Sequence, residues 1–396
     1  MSESEIIVRT ANTVDEIENL RAFWTGLNRH PESDIDFVVM LASVRPEIIR
    51  PHILVAYEGG QPVAMLVGRL ENTQTRPRFG YLKLFRMPVN QFVFVGGQLL
   101  GEDSDRIASA IIREIRMRLR DGCVDRALMG HFSTANALNK FVKRECPMWC
   151  RGLTHPTVQH WKTELPDTFE AFLAKRPKKH RYWLRRIGKI FEARFDGKVI
   201  YRIYKAPQDV EPFCKAAEAV AQNTYQRGLG AGFIDNIENR NRLALMTRSG
   251  WSRSYVVFVE GIPLAFWSGE RIGDTFHLTW TGFDSSYRKY EIGTILYFKM
   301  VEDLIFWGIK KIDYGLGWAQ YKERFGDTCL LDQDVVIYAP TLKAIGLNII
   351  LASEDIVNRT GEKILSILKL RDRFKKLWRS RLADKTASLP TNAVGT

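Results

Sequence analysis

Between Tyr287 and Asp327 the chain reads YRKYEIGTILYFKMVEDLIFWGIKKIDYGLGWAQYKERFGD. An aromatic and basic loop (Tyr287, Arg288, Lys289, Tyr290) runs into Gly293. The apolar residues Ile295, Leu296, Phe298, Val301, Leu304, Ile305 and Phe306 then recur at helical spacing, with Gly308 as the stop. A short strand, Ile309 to Tyr314, ends in Gly315-Leu316-Gly317, and a second short helix carries Tyr321, Lys322 and Arg324. A glycine-containing turn opening a helix predicts an anion cradle, because the first backbone N–H groups of a helix lack internal partners and the dipole attracts negative charge.

Working outward, the same order of elements occurs twice. ILVAYEGGQPVAMLVGRL (53–70) and YVVFVEGIPLAFWSGE (255–270) are β-rich hairpins sharing Glu-Gly, Pro and Ala, and each is followed by strand, helix, Gly and strand. Upstream of the first lie a strand (5–10), a helix (14–27) opened by the capping-box pattern Thr13-x-x-Glu16, and a second helix (35–43). Further strands are expected at 79–85, 91–95 and 126–130, and helices at 103–120 and 134–145. In the second half, strand 198–204 and helices 210–226 and 236–248 precede the hairpin, and strand 334–338 and helix 342–352 close the unit. The alternative to duplication is two unrelated hairpins with similar turn chemistry.

This layout resembles the GNAT N-acetyltransferase superfamily, in particular its tandem branch associated with bacterial polysaccharide (cellulose) synthesis and the related Fem-type peptidyltransferases that use aminoacyl-tRNA. Of the phosphate-loop pattern Arg/Gln-x-x-Gly-x-Gly/Ala, the stretch Tyr290-Glu291-Ile292-Gly293-Thr294-Ile295 keeps only the central Gly. The resemblance implies an α/β (α+β) fold. Two acyl-CoA N-acyltransferase-like domains with mixed, mostly antiparallel sheets would span residues 1–160 and 161–345, and a basic helical tail would span 346–396. It implies a cytoplasmic acyltransferase moving an acyl group from acetyl-CoA or another acyl-CoA to an amine or hydroxyl of an envelope or polysaccharide acceptor. The alternatives are an aminoacyl-tRNA-dependent peptidyltransferase and a non-catalytic adaptor of a polysaccharide synthase. Arg288, Lys289, Tyr290, Ile292, Gly293 and Thr294 are the expected cofactor-binding positions. In the first half, Gly96-Gly97 is followed by Glu102 and Asp103, which would repel a phosphate, so that copy is expected to serve as scaffold.

Two patches account for the net charge of +13. Lys175 to Arg194 holds nine Lys/Arg against Glu192, and Lys363 to Lys385 holds nine against two Asp. At 100° per residue the first run puts Lys178, Arg181, Arg185 and Lys189 on one helix face, and Trp183, Leu184, Ile187, Ile190 and Phe191 on the other. The cationic face is either solvated or binds an anionic acceptor or donor. The loop 228–232 either borders the same groove or simply connects helices. The second run, with Ile364, Leu365, Leu368, Phe374, Leu377 and Trp378 among its cations, suits an interfacial helix on an anionic membrane, a partner-docking helix or a partly disordered tail.

Acyl transfer needs a held donor, a neutral nucleophile and a path for its proton. No Gly-x-Ser-x-Gly elbow is present, which argues against a covalent hydrolase. Glu270, His277 and Asp284 are acid–base candidates at strand positions. Alternation over 275–281 would set Phe276, Leu278 and Trp280 against His277 and Thr279. Each has a plainer reading as a solvated or hydrogen-bonded side chain, and Glu270 is also a candidate acceptor contact. By the resemblance, Asp313 orients Lys322 or caps the turn, Lys322 steadies developing carbonyl charge or is a surface lysine, and Tyr321 protonates the leaving group or packs. The five cysteines (Cys123, Cys146, Cys150, Cys214, Cys329) are scattered, so reduced thiols are expected and no metal. No apolar run reaches the ~20 residues of a membrane span, and MSESEIIVRT lacks the pattern of a signal peptide.

Overall fold

The computed structural model describes residues 5–27, 30–79, 82–95, 99–133, 137–154, 157–224, 227 and 232–367. Its first half runs β1 (Ile6–Ala11), α1 (Val14–Glu18), α2 (Arg21–Thr25), a 3-10 turn (Pro31–Ser33), α3 (Ile35–Val44), β2 (Ile48–Pro51), β3 (Ile53–Glu58), β4 (Gln61–Leu66) and β5 (Gly68–Thr75). It continues through β6 (Arg78–Phe79), β7 (Leu82–Lys83), β8 (Met87–Phe94), β9 (Leu100–Gly101), α4 (Asp105–Arg120), β10 (Arg126–Ser133), α5 (Ala137–Glu145), a 3-10 turn (Met148–Cys150) and β11 (Thr157–Glu164). The second half holds α6 (Phe169–Ala174), α7 (Lys178–Arg194), β12 (Val199–Tyr204), α8 (Val210–Gln222), α9 (Ile237–Arg248), β13 (Ser252–Val259), β14 (Ile262–Ile272) and β15 (Thr275–Phe283). A 3-10 segment (Ser285–Tyr290), α10 (Ile292–Phe306), β16 (Lys311–Leu316), α11 (Gln320–Phe325), β17 (Thr328–Tyr338) and α12 (Leu342–Ile367) complete it.

The likeness between the two halves extends to irregularities of the backbone. Both hairpins turn on two left-handed residues, Gly59-Gly60 (φ 57° and 80°) and Glu260-Gly261 (φ 53° and 82°). In both, the ladder shifts one residue later, where Tyr57 faces Pro62 and Phe258 faces Pro263. Proline cannot donate to a ladder and is tolerated at such a bulge. Each half then makes one parallel pair across a helix, β8 with β10 around α4 and β15 with β16 around α10.

Eleven strands form one sheet in the order β12-β13-β14-β15-β16-β11-β17-β10-β8-β5-β2, and β1-β3-β4-β9 form a second. The middle of the long sheet is an exchange. The first half's last strand, β11, lies between β16 and β17, while β17 crosses to pair with β10. Val335, Ile337 and Leu347, from the end of the chain, therefore join Phe94, Ile107 and Ile111 in the first half's core. The second core packs α10 (Tyr297, Met300, Val301) on Trp267, Phe276 and Ile312, and Tyr297 stacks on Phe325 of α11 at 4.0 Å.

Several expected bounds shift. Residues 14–27 make two short helices, and the capping box of Thr13 and Glu16 is present. The strand expected over 79–85 is broken into β6 and β7, and the closing strand begins at Thr328 rather than at 334. The helix expected to end at 352 continues to Ile367. The 96–98 turn, the 228–231 loop, Tyr225 and Gln226, and the basic run beyond 367 lie outside the described residues.

Candidate active site

β15 and β16 pair for three residues only: Thr275 with Lys311, Phe276 with Ile312, and His277 with Asp313. Beyond that rung the strands part. β14 pairs with β15 as far as Phe283, but no described strand covers the other edge of Leu278–Phe283. A parting pair of parallel strands in front of a helix leaves backbone N–H and C=O groups facing a cleft, where they can align a carbonyl-containing ligand.

The last rung belongs to a polar row across the sheet. Glu270 faces His277, His277 faces Asp313, and Asp313 faces Lys162. Directly opposed residues share a face, and this face is the one away from α10. Asp313, itself 6% exposed, is the hub. Its Oδ1 accepts from His160 Nε2 at 2.7 Å and from the Gly315 backbone N–H at 2.8 Å, and Lys162 Nζ lies 3.3 Å from Oδ2. The other ring nitrogen of His160, Nδ1, meets Asp332 Oδ2 at 2.6 Å. With a carboxylate on each nitrogen, only the imidazolium donates to both. Burial alone would lower its pKa, but the bonds to Asp313 and Asp332 prevail and raise it to about 9. Burial would conversely raise Asp313, and His160 and Lys162 hold it well below the usual carboxylate range.

His277 differs in kind. Burial, with repulsion from His30, lowers its pKa to about 4, so the ring is neutral near pH 7. Its Nε2 is buried without a hydrogen-bond partner among the described residues. The His30 ring meets it edge-on at 4.9 Å. Lys322, on α11, is buried and reaches back to the end of β16, with Nζ 2.5 Å from the Leu316 carbonyl oxygen and 3.2 Å from that of Gly315. Burial lowers its pKa to about 8, Asp313 opposing the fall. Gly315 and Gly317 make this close return possible at φ 68° and 84°, in the left-handed region. Tyr321 packs edge-on against Trp267 (5.1 Å) and Tyr314 (6.3 Å) at the α10 side of the splay.

Three local expectations change. Glu270 is not a solvent-facing strand end. It is 1% exposed, both oxygens are bound by Arg242 of α9 (2.8 and 2.9 Å), and Thr279 Oγ1 adds a third bond. The alternation over 275–281 breaks where the ladder shifts at Ser268/Gly269, so Leu278 joins the α10 core while Trp280 packs with Phe233 on the opposite face. On α7, Lys178, Arg185 and Lys189 are exposed as expected, but Arg181 is half-buried and Ile190 is exposed.

The expected phosphate cradle is also occupied differently. Ile292 and Thr294 are buried, and the Gly293 carbonyl accepts from Trp267 Nε1 at 3.0 Å. Glu291 caps α10 in a left-handed conformation (φ 52°). Its carboxylate accepts from Thr294 Oγ1 at 2.8 Å and from Arg324 at 3.1 Å. A negative charge already stands at this helix terminus. The exposed cations lie beside it instead: Arg288 and Lys289 on the 3-10 segment, and the outer face of α7. An aromatic cluster of Phe191, Phe195, Tyr287 and Tyr290 holds those two elements together. Cys146 and Cys150 are buried thiols, Cys146 pushed up to about 11 by burial, and no metal-binding group occurs among the described residues.

His160, Asp332, Lys162, His30 and Arg242 were not identified from sequence. The polar alternation of His160 and Lys162 along β11 was the available signal, but their partners come from the exchanged strands.

With this geometry, residues 178–323 match the family described as acetyltransferase (GNAT) domain, and the chain carries an acyltransferase domain of that fold. FemX superposes with a TM-score of 0.54 at 8% identity, over 83% of this chain and 97% of its own. The C-terminal domain of a putative lysylphosphatidylglycerol synthetase from Agrobacterium fabrum gives 0.53 at 12% identity, over 86% and 97%. A conserved protein of unknown function from Bacteroides thetaiotaomicron gives 0.50 at 13%, over 84% and 100%. At these identities the likeness is one of fold. None of the curated proteins compared matches the sequence.

Proposed function

We propose that the chain moves an acyl group from an activated donor onto an amine or hydroxyl of a polar acceptor at the β15–β16 splay. The observation that carries this is the rung His277–Asp313, a neutral imidazole beside a fixed carboxylate at the point where the strands part. In this reading the open edge of Leu278–Phe283 aligns the acyl carbonyl. Lys322 supplies positive charge to the oxygen as the tetrahedral intermediate forms. His277 Nε2 takes the proton leaving the nucleophile, and the neighbouring Asp313 carboxylate stabilises the resulting imidazolium. The polar row favours a polar acceptor, such as a saccharide or envelope precursor, over an apolar one. Tyr321 in this reading delivers a proton to the leaving group.

Acyl-CoA is the donor that the GNAT description implies. At the α10 terminus its pyrophosphate would have to displace the Glu291 carboxylate, which is already bonded to Thr294 and paired with Arg324. A second reading, an aminoacyl-tRNA donor, is favoured by the cationic face of α7 beside Arg288 and Lys289. Thermal melting with acetyl-CoA, longer acyl-CoAs, free CoA and aminoacyl-tRNA separates the two. Ligand at a hundred times Kd adds about 2.7 kcal/mol of stability. A shift with an acyl-CoA that grows in Glu291→Gln supports the first donor, and a salt-sensitive shift with charged tRNA alone supports the second. No shift with any of them would refute this account of donor binding.

A further inference from the structure

The outer face of α12 is apolar where a helix packed on a core is expected to be polar. Leu342, Ile349 and Ile356 recur every seven residues, so they lie along one side of the helix, and all are exposed, Leu342 at 92%. Opposite them, Ala344 and Leu347 are buried. Of the helix's own charges, Lys343 is paired with Asp125 and Arg359 with Asp355.

Two elements beside the helix are fixed to it. On one side, Asn348 is bonded to both the Leu153 N–H and the Arg151 carbonyl oxygen, fixing the Met148–Leu153 loop against the helix. That loop exposes Met148 and Trp149, the latter at 60%. Nearer the C-terminal end of the helix, Asn358 on its packed side donates to the Arg78 carbonyl oxygen and holds the β6–β7 hairpin, which is followed by exposed Phe85. Both flanks carry exposed cations: Lys143 and Arg144 before the loop, and Arg76, Arg78 and Arg86 around the hairpin. No acid occurs between Glu71 and Glu102, and the chain after α12 enters the run with nine Lys/Arg against two Asp.

We propose that this face docks on an anionic phospholipid bilayer. Exposed aliphatic and aromatic side chains enter the interfacial zone, where aromatic rings are favoured, and the rim cations meet lipid phosphates. The exposed Trp149 beside the stripe and the cations near it match a lipid surface better than they match a second copy of the chain, whose same cations would repel. The contact is with the membrane surface, since no helix among the described residues is long and apolar enough to cross one. It would hold the splay near acceptors assembled at a membrane.

The test is flotation of the full-length protein with vesicles of phosphatidylcholine alone or mixed with phosphatidylglycerol, at low and high salt. Binding is expected to the mixed vesicles, weakening as salt rises. In Trp149→Asp/Ile349→Asp the partition coefficient should fall about tenfold or more, from the lost burial of two large side chains, with an unchanged melting temperature. Leu342→Asp, at the first turn of the helix, is a second variant that spares the fold. Unaltered binding by these variants would show that the 363–385 run adsorbs alone and would overturn the proposal. Equal binding to neutral vesicles would overturn it too, as would a dimer in sedimentation that the same substitutions dissociate.

Discussion

His160 and Asp313 are 153 residues apart in sequence and meet at 2.7 Å, Nε2 to Oδ1, across the strand exchange that joins the two halves. The bond makes the second half's site depend on a strand from the first. It also fixes the charge of both groups. The His160 pKa is about 9 in the folded chain against 6.5 for a free imidazole. A folded value above the unfolded one means that the native state holds the extra proton between those limits. The stabilisation is complete below pH 6.5 and is lost as pH rises through 9, and its size is on the order of 3 kcal/mol. The melting temperature should therefore decline from pH 6.5 to 9, and His160→Gln should flatten that decline while lowering stability at pH 6. A wild-type melting temperature constant across that window would contradict the charge assignment.

Arg242 and Glu270 form a second buried pair, from α9 to the edge of the polar row. Removing Glu270 leaves Arg242 charged and buried with only the more exposed Glu32 at 3.9 Å, and breaking such a pair costs about 3–5 kcal/mol. Glu270→Ala should lose about that much in urea unfolding. Arg242→Met/Glu270→Leu should recover most of it, because two apolar side chains of similar volume leave no orphan charge. If the single and double variants were equally unstable, the loss would lie in packing, including that of Arg242 on Phe37 and Trp280, rather than in the charge.

Gly269 lies beside the last rung and has no room for a side chain. A Cβ there would meet the His277 carbonyl oxygen at 2.4 Å and the Phe276 ring at 2.7 Å. Backbone oxygen cannot yield as a flexible side chain can, so Gly269→Ala should destabilise by about 1–3 kcal/mol. It should also displace His277, seen as an altered imidazole titration by NMR. Gly261→Ala, with no atom within 4 Å, pays only for its positive φ and should leave the His277 titration unchanged.

What was legible in sequence follows from what is local. Turn chemistry at Glu58-Gly59-Gly60 and Glu260-Gly261, helical periodicity over 292–306 and the Gly315–Gly317 turn are set by neighbours in the chain, and each lies near its expected place. Asp313 and Lys322 stood out because they flank that turn, and His277 because alternation puts it on the polar side of its strand. Long-range pairing was not. Nothing local to β11 says that it inserts between β16 and β17, so the bonds of His160 to Asp313 and Asp332 could not be seen. The bulge that turns Trp280 away from Leu278 arises from register with β14. Glu291 stood within the quoted motif, but its carboxylate became informative only once Thr294 and Arg324 were found bonded to it.

Lys322 is the residue whose stability and function should oppose each other. Its folded pKa of about 8 lies below the unfolded 10.5, so burial disfavours its charge by roughly 3 kcal/mol. The sign is opposite to that of His160. The penalty is full below pH 8 and is relieved as pH rises toward 10.5, so this group makes the protein more stable with increasing pH. The two carbonyl bonds return about 1 kcal/mol each and cannot offset the whole. Lys322→Met keeps the aliphatic stem and removes the charge. Its expected effect is an unchanged or higher melting temperature at pH 7, together with loss of the stability gain between pH 8 and 10.5. Transfer should fall about 100-fold or more with donor affinity little changed, as expected when a group stabilises developing charge rather than bound substrate. Equal losses of stability and transfer would instead make Lys322 a strut for the Gly315–Leu316 turn and remove it from the chemistry.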